Sequence, residues 1–195
     1  MIKSMLSIAI CLAISGELTA QVAIQCNDMM IIYAGIPATF KAGANGEYTD
    51  ITTSPPMVLA SQSQVGEYIT IKATGKDKKG NSIYLGEQNY LVKKAPKPEL
   101  FWNGIAEGGK ANKNGGSLSC RYGDNVPFSP SLALFEIISY TITIDGVKGS
   151  LAGSGSTISS AHLEVIKTMV SESKINISVL VSGPYNGLVS SSFNH

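Results

Sequence analysis

Two prolines one residue apart, in Lys93-Lys-Ala-Pro96-Lys-Pro98, constrain this 195-residue chain more than any other feature. Proline fixes φ, removes a ladder donor and drives the residue before it out of helical space. Neither a helix interior nor a central strand can run through both. The segment therefore reads as a stiff, extended connector. It predicts a first domain over 21–95 and a second over 96–195, set end to end as an elongated rod.

On both sides of the connector the apolar pattern has the period of a strand. Val22–Cys26 and Met29–Tyr33 are short apolar runs bounded by Asn27-Asp28 and Gly35. Tyr68–Ala73 alternates, with Ile69, Ile71 and Ala73 on one face and Tyr68, Thr70 and Lys72 on the other. Gly75–Asn81 is a charged hairpin loop that returns through Ile83–Leu85 and Gln88–Val92, and its lysines are solvated turn residues. Beyond the connector, Phe135–Asp145 has the strongest alternation in the chain. Ile138, Tyr140, Ile142 and Ile144 are expected inside, with Ser139, Thr141 and Thr143 outside. Asp145-Gly146 marks a tight turn, after which a second strand is expected to break into a flexible Gly153-Ser-Gly155 loop. One short helix is expected over Ala161–Val170, capped by Ser159 or Ser160 and presenting Leu163, Ile166 and Val170 on one face. Ile175–Val181 and a run ending at Phe193 complete a sheet. The fold class is mainly β: two tandem antiparallel β-sandwich-like domains, the second with one short helix.

The first twenty residues have the parts of a secretory signal peptide. Lys3 is followed by the apolar run Met5–Ile14, and Leu18-Thr-Ala20 precedes Gln21. The run is too short to span a bilayer, which takes ~20 apolar residues. Residues 1–20 are therefore read as an export signal, and the mature chain as periplasmic, outer-membrane-associated or surface-exposed. Charged residues are 15% of the chain, below the usual ~25%, and the net charge of +1 is spread without a basic block. Phosphate neutralisation needs a concentrated basic face, so nucleic acid is not an expected partner.

Few segments come near a motif that carries chemistry. Gly104-Ile-Ala-Glu-Gly-Gly-Lys110-Ala111 approaches a phosphate-binding loop. Ala111 lacks the hydroxyl such a loop gives to Mg²⁺, and Asn112–Gly116 cannot start the helix that would hold the phosphates. His162 and His195 have no acid or thiol at a metal-ligand spacing, and His162 is expected on the surface. Cys26 and Cys120 fall in different domains and form no CxxC pair, so two buried thiols are expected. No serine occupies a G-x-S-x-G elbow. Asp28, Asp50, Glu67 and Glu136 are scattered over turns and strand faces, where a glycosidase would need two carboxylates across one cleft. No catalytic, cofactor-binding or metal-binding residue is assigned, no cofactor is expected, and no small-molecule substrate is evident. Trp102, directly after the connector, is read as a plug packing the hinge against the second domain. Exposed together with Tyr122 and Tyr185, it would instead be a stacking platform for a glycan, as in a cell-surface adhesin. A hydrolase with an unrecognised site is a third alternative.

Four segments, in order, resemble the C-terminal periplasmic domains of the GldM/PorM gliding-motility and type IX secretion family. Asn27–Pro37 is similar to the opening strand of the family's third periplasmic domain, with Asn before an apolar strand ending Tyr33-Ala-Gly35. Tyr90–Gly104 resembles its connector, Val-Lys followed by Pro-x-Pro. Phe135–Ile144 looks like the central strand of the last domain, and Val181–Gly187 like its late Gly-Pro hairpin. The likeness spans roughly 22–193. It implies the distal, partner-binding end of an envelope machine. Members of the family begin with a transmembrane helix and further domains, whereas here a signal peptide leads straight into the last two. Envelope proteins are the implied partners, and a second copy of the chain is another candidate. The edge strands of the last domain and the loop Gly146–Thr157 are the expected docking surfaces.

Overall fold

The computed structural model describes residues 22–26, 30–44, 48–111, 113–168 and 173–194. The expected signal peptide and the helix position Val170 lie outside the described residues. Among the described residues no helix is long and apolar enough to cross a membrane.

The protein is mainly β. Before the connector run β1 (Val22–Gln25), β2 (Ile31–Tyr33), β3 (Ala38–Thr39), β4 (Lys41–Ala44), β5 (Thr49–Ser54), β6 (Met57–Val58), β7 (Tyr68–Lys76) and β8 (Ser82–Lys93). They form a four-stranded sheet of order β2-β8-β7-β5 and two ribbons, β1–β4 and β3–β6. After it come β9 (Glu99–Trp102), β10 (Leu118–Arg121), β11 (Glu136–Ile144), β12 (Leu151–Ser154), α1 (Ser160–Lys167), β13 (Lys174–Ser182) and β14 (Gly187–Asn194). β9 and β10 make a ribbon, and the other four strands a sheet of order β12-β11-β13-β14.

In the first sheet the alternation of β7 does what its period dictates. Ile71 and Ala73 are fully buried and Tyr68 is exposed. Asp77 closes the hairpin, its carboxylate accepting from the backbone N–H groups of Lys79 and Asn81, both at 2.8 Å. The sheet is not purely antiparallel, however, because β2 runs parallel to β8, Ile31 beside Leu91 and Tyr33 beside Lys93. β2 reaches that edge without a hairpin, so its direction is not tied to that of β8. In this register Ile32 drops into a core with Phe40, Ile71, Tyr90 and Val92.

The second sheet lays Ile142, Ile144, Ile175, Ile177, Val179 and Val181 over Leu100, Trp102, Leu118 and Ile158, with Ile166 of α1 in the same cluster. Each such aliphatic side chain contributes about 1.5–3 kcal/mol on full burial. Ser159 caps α1, its hydroxyl accepting from His162 N–H at 3.3 Å. Two expectations are corrected here. The β11–β13 register shifts between Ile137 and Ser139, so Ile137 takes the core place and Ile138 is extruded, 48% exposed. A bulge adds one residue and reverses the facing of everything before it. Gly153 is not in a loop but within β12, opposite Tyr140. The Tyr140 ring occupies the space a Cβ would take, so only glycine lets the strand pass.

The junction also departs from the bare connector read from the sequence. Ala95 and Pro98 are buried. Ile36, Ala95, Tyr122 and Ala133 form a third apolar cluster with Tyr33, Val126, Phe128 and Phe135 against it. Tyr33 meets Phe128 edge-on at 5.2 Å, Tyr122 donates to Pro96 O at 2.8 Å, and Gln62 Nε2 donates to Pro184 O at 2.7 Å. Gly35, at φ +79°, lies directly against Pro184. Residues from both sides of the prolines thus share one apolar contact.

Burial pushes the Tyr122 phenol up to about 12, and burial aided by the nearby Cys26 does the same for Tyr90. Burial also raises the Cys120 thiol to about 11. The folded state therefore holds these protons more tightly than the unfolded one, at about 1.4 kcal/mol per pKa unit and group. That stability is fully present below the unfolded-state values of 9.0 and 10.0 and is lost as pH rises through 11 and 12. Denaturant unfolding should give a level plateau up to about pH 9 and a steep fall above it. Tyr122→Phe should make that fall shallower. A tyrosinate absorbance transition at the ordinary phenol value, with no loss of stability, would contradict this.

Candidate functional site

Several titratable side chains are engaged in building the fold. Asp50 pairs with Lys76 at 2.8 Å across β5 and β7, and the lysine holds its carboxyl below the usual range. Asp145 accepts from Asn176 at 3.0 Å, and Glu164 pairs with Lys167 at 2.7 Å. His162 is half-buried, not on the open surface, because its Nδ1 meets the Tyr140 hydroxyl at 3.0 Å. That hydroxyl also accepts from Ser159 N–H at 3.0 Å, which leaves its own proton for the imidazole. The three groups tie the start of α1 to the sheet. Among the described residues no three His, Cys, Asp or Glu side chains come together as metal ligands. Cys26 and Cys120 are free thiols, half-buried against different clusters.

The glycine-rich loop is fastened along β14. Gly108 N–H donates to Ser192 O and Ala111 N–H to Asn194 O, both at 2.7 Å, and Asn194 N–H returns to Gly109 O at 2.9 Å. The chain then enters β10. The Gly108 and Ala111 amides are thereby committed to the sheet edge, and that of Gly109 to Ala106 O within the loop.

Two of the three candidate stacking side chains are inside. Trp102 is fully buried, its indole N–H donating to Gly115 O at 2.9 Å and its ring edge-on to Phe193 at 5.6 Å. Tyr122 is buried in the junction cluster and Tyr185 is half-buried. Neither Trp102 nor Tyr122 offers an open face for stacking on a sugar.

Two surface features of the described residues stand out. The first is the open face and edge of β14. Leu188 lies opposite Leu180 and Leu180 opposite Ser139, beside the extruded Ile138. These three aliphatic residues are 58%, 41% and 48% exposed on a face otherwise lined by Thr141, Thr143, Ser178 and Ser190. Backbone groups of Ser192 and Asn194 point outward to the glycine loop. By the two-residue period, those of Leu188 and Ser190 point the same way. Among the described residues no backbone group pairs with them. At the opposite edge lies β12, within the expected docking loop 146–157.

The second is a cleft of about 580 Å³ between the β9–β10 ribbon and residues 130–135. Arg121 ends β10 on its rim. Glu99 is its direct cross-strand neighbour, yet the guanidinium lies over the diagonal Phe101 ring, 4.1 Å from its centroid. The Glu99 carboxylate turns instead against Gly123. A smaller cleft of about 200 Å³ lies at the junction, between residues 31–39 and 127–132.

No protein-family model matches this chain, and no curated protein matches it.

Proposed function

We propose that this protein is a non-catalytic, exported interaction module of the cell envelope, which takes up an extended segment of an envelope protein along β14. The observation that carries the reading is the open β14 edge beside the Leu180, Leu188 and Ile138 patch. Unpaired backbone groups supply affinity in strand addition, and side-chain contacts on one face supply register. Engagement of Asp50, Asp77, Asp145, Glu164, His162 and the glycine loop in structural bonds supports a role other than catalysis. The ordered resemblance to the distal domains of the GldM/PorM family supports placing the partner among gliding or type IX secretion components.

A photo-crosslinking residue at position 188, introduced in cells, tests this directly. The expected result is one dominant crosslinked envelope protein, absent when the same residue replaces the exposed Tyr84 of the first sheet. Ser190→Pro removes an outward N–H without touching the ladder to β13 and should cut the crosslink about tenfold or more. Equal yields from positions 188 and 84, or indifference to Ser190→Pro, would sink the proposal.

A further inference from the structure

Arg121 is the only arginine in the chain, and its placement is specific. Its guanidinium face is covered by Phe101, while among the described residues no carboxylate or carbonyl takes its N–H donors. Stacking fixes the plane of a guanidinium and leaves its edge free, and that edge matches a carboxylate with two parallel hydrogen bonds. Across the cleft stand Pro130, Ala133, Phe135 and Leu134, the last 81% exposed. A preoriented cation thus faces an apolar wall in one concavity.

We propose that this cleft binds the C-terminal carboxylate of a peptide whose last side chain is apolar. In such a residue the carboxylate and the apolar group leave the same Cα, so one residue can reach Arg121 and Leu134 together. An acidic side chain would hold its carboxylate away from the backbone and would need a second residue to fill the wall. Asp124 on the rim and Glu99 opposite Arg121 limit the charge the site accepts. They disfavour a dianion such as phosphate, whose second charge they repel. A monocarboxylate brings one charge to the one guanidinium and meets that repulsion only once. This site is separate from the β14 edge, and neither proposal depends on the other.

The single arginine makes the test clean, because ¹⁵N spectra of the protein carry one arginine side-chain Nε–H signal. The probes are N-acetyl-Ala-Phe as the free acid, its C-terminal amide, N-acetyl-Glu-Phe-amide and inorganic phosphate. The free acid should move the Arg121 Nε–H signal and the Gly123 and Leu134 amides saturably, at roughly millimolar concentration for so small a ligand. The amide should leave them in place. Arg121→Lys, which keeps the charge but not the plane, should weaken binding about tenfold or more. Phe101→Leu should weaken it less, with Trp102 emission reporting that both variants remain folded. Absence of a saturable shift with the free acid overturns the proposal. So does tighter binding of phosphate or of the acidic side-chain peptide, or an unchanged affinity in Arg121→Lys.

Discussion

Trp102→Ala is expected to cost about 3–5 kcal/mol, the range for removing a large aromatic side chain from a packed core. The indole is fully buried between Leu100, Leu118 and Phe193, and its N–H satisfies Gly115 O. Truncation leaves a cavity at the centre of the second sheet's core and strips the glycine loop of one of its ties. In a chain of this size the loss corresponds to a fall in melting temperature of about 2–4 °C per kcal/mol. Trp102→Phe keeps part of the packing but loses the hydrogen bond and some buried ring volume, so its penalty should be smaller, about 1–3 kcal/mol. As the chain's only tryptophan, Trp102 reports on itself. Its emission should be blue-shifted, resistant to soluble quenchers and unchanged by added oligosaccharides. Red-shifted, quenchable emission, or a Trp102→Ala protein that melts like the parent, would refute the buried placement and restore the stacking-platform alternative.

Gly153→Val is the second substitution with a large expected effect, although glycine-to-valine changes within exposed strands are ordinarily favourable. The Tyr140 ring fills the space above Gly153. It cannot move away freely, because its hydroxyl is held by Ser159 N–H and His162 Nδ1, both at 3.0 Å. Overpacking of this kind costs about 1–3 kcal/mol, and each hydrogen bond broken by displacing the tyrosine adds about 1 kcal/mol. Ala152→Val, one residue away on the exposed face of the same strand, should be near neutral. A double-mutant cycle identifies the cause. In a Tyr140→Leu background the Gly153→Val penalty should shrink by about 1 kcal/mol or more, as expected for residues in contact. Strict additivity would mean that Tyr140 is not what glycine accommodates.

These two sites differ in how they could be found from sequence. Trp102 follows a proline connector and opens a strand, so a buried plug was the natural reading of its position. Gly153 sits in Gly153-Ser-Gly155, where composition alone says flexible loop. The tyrosine that demands the glycine is thirteen residues earlier, and only the β11–β12 register brings the two together. Ile138 fails for a related reason. Strict alternation from Ile144 back to Ile138 puts it in the core, and one inserted residue at the bulge exchanges it with Ile137. Periodicity has no memory of a bulge, because a bulge is imposed by the partner strand. The exchange also shapes the surface, since the extruded Ile138 completes the apolar patch with Leu180 and Leu188. Arg121, an isolated arginine next to a cysteine, carries no motif in the sequence. Its significance rests on a diagonal cross-strand contact with Phe101, twenty residues away.

What the sequence by itself determined is what local chemistry controls. Alternation at period two made β7, β11 and β13, the Asp77 turn closed the first hairpin, Ser159 started the helix, and the two prolines keep the two four-stranded sheets on opposite sides of one segment. Each depends on residues within a few positions of one another. The tertiary structure alone decided the parallel pairing of β2 with β8, the bulge that faces Ile138 outward, and the stacking of Arg121 on Phe101. It also decided the apolar cluster that joins both sides of the prolines. Such contacts are settled by which distant apolar surfaces can be buried together, and their energies do not appear in any single stretch of chain.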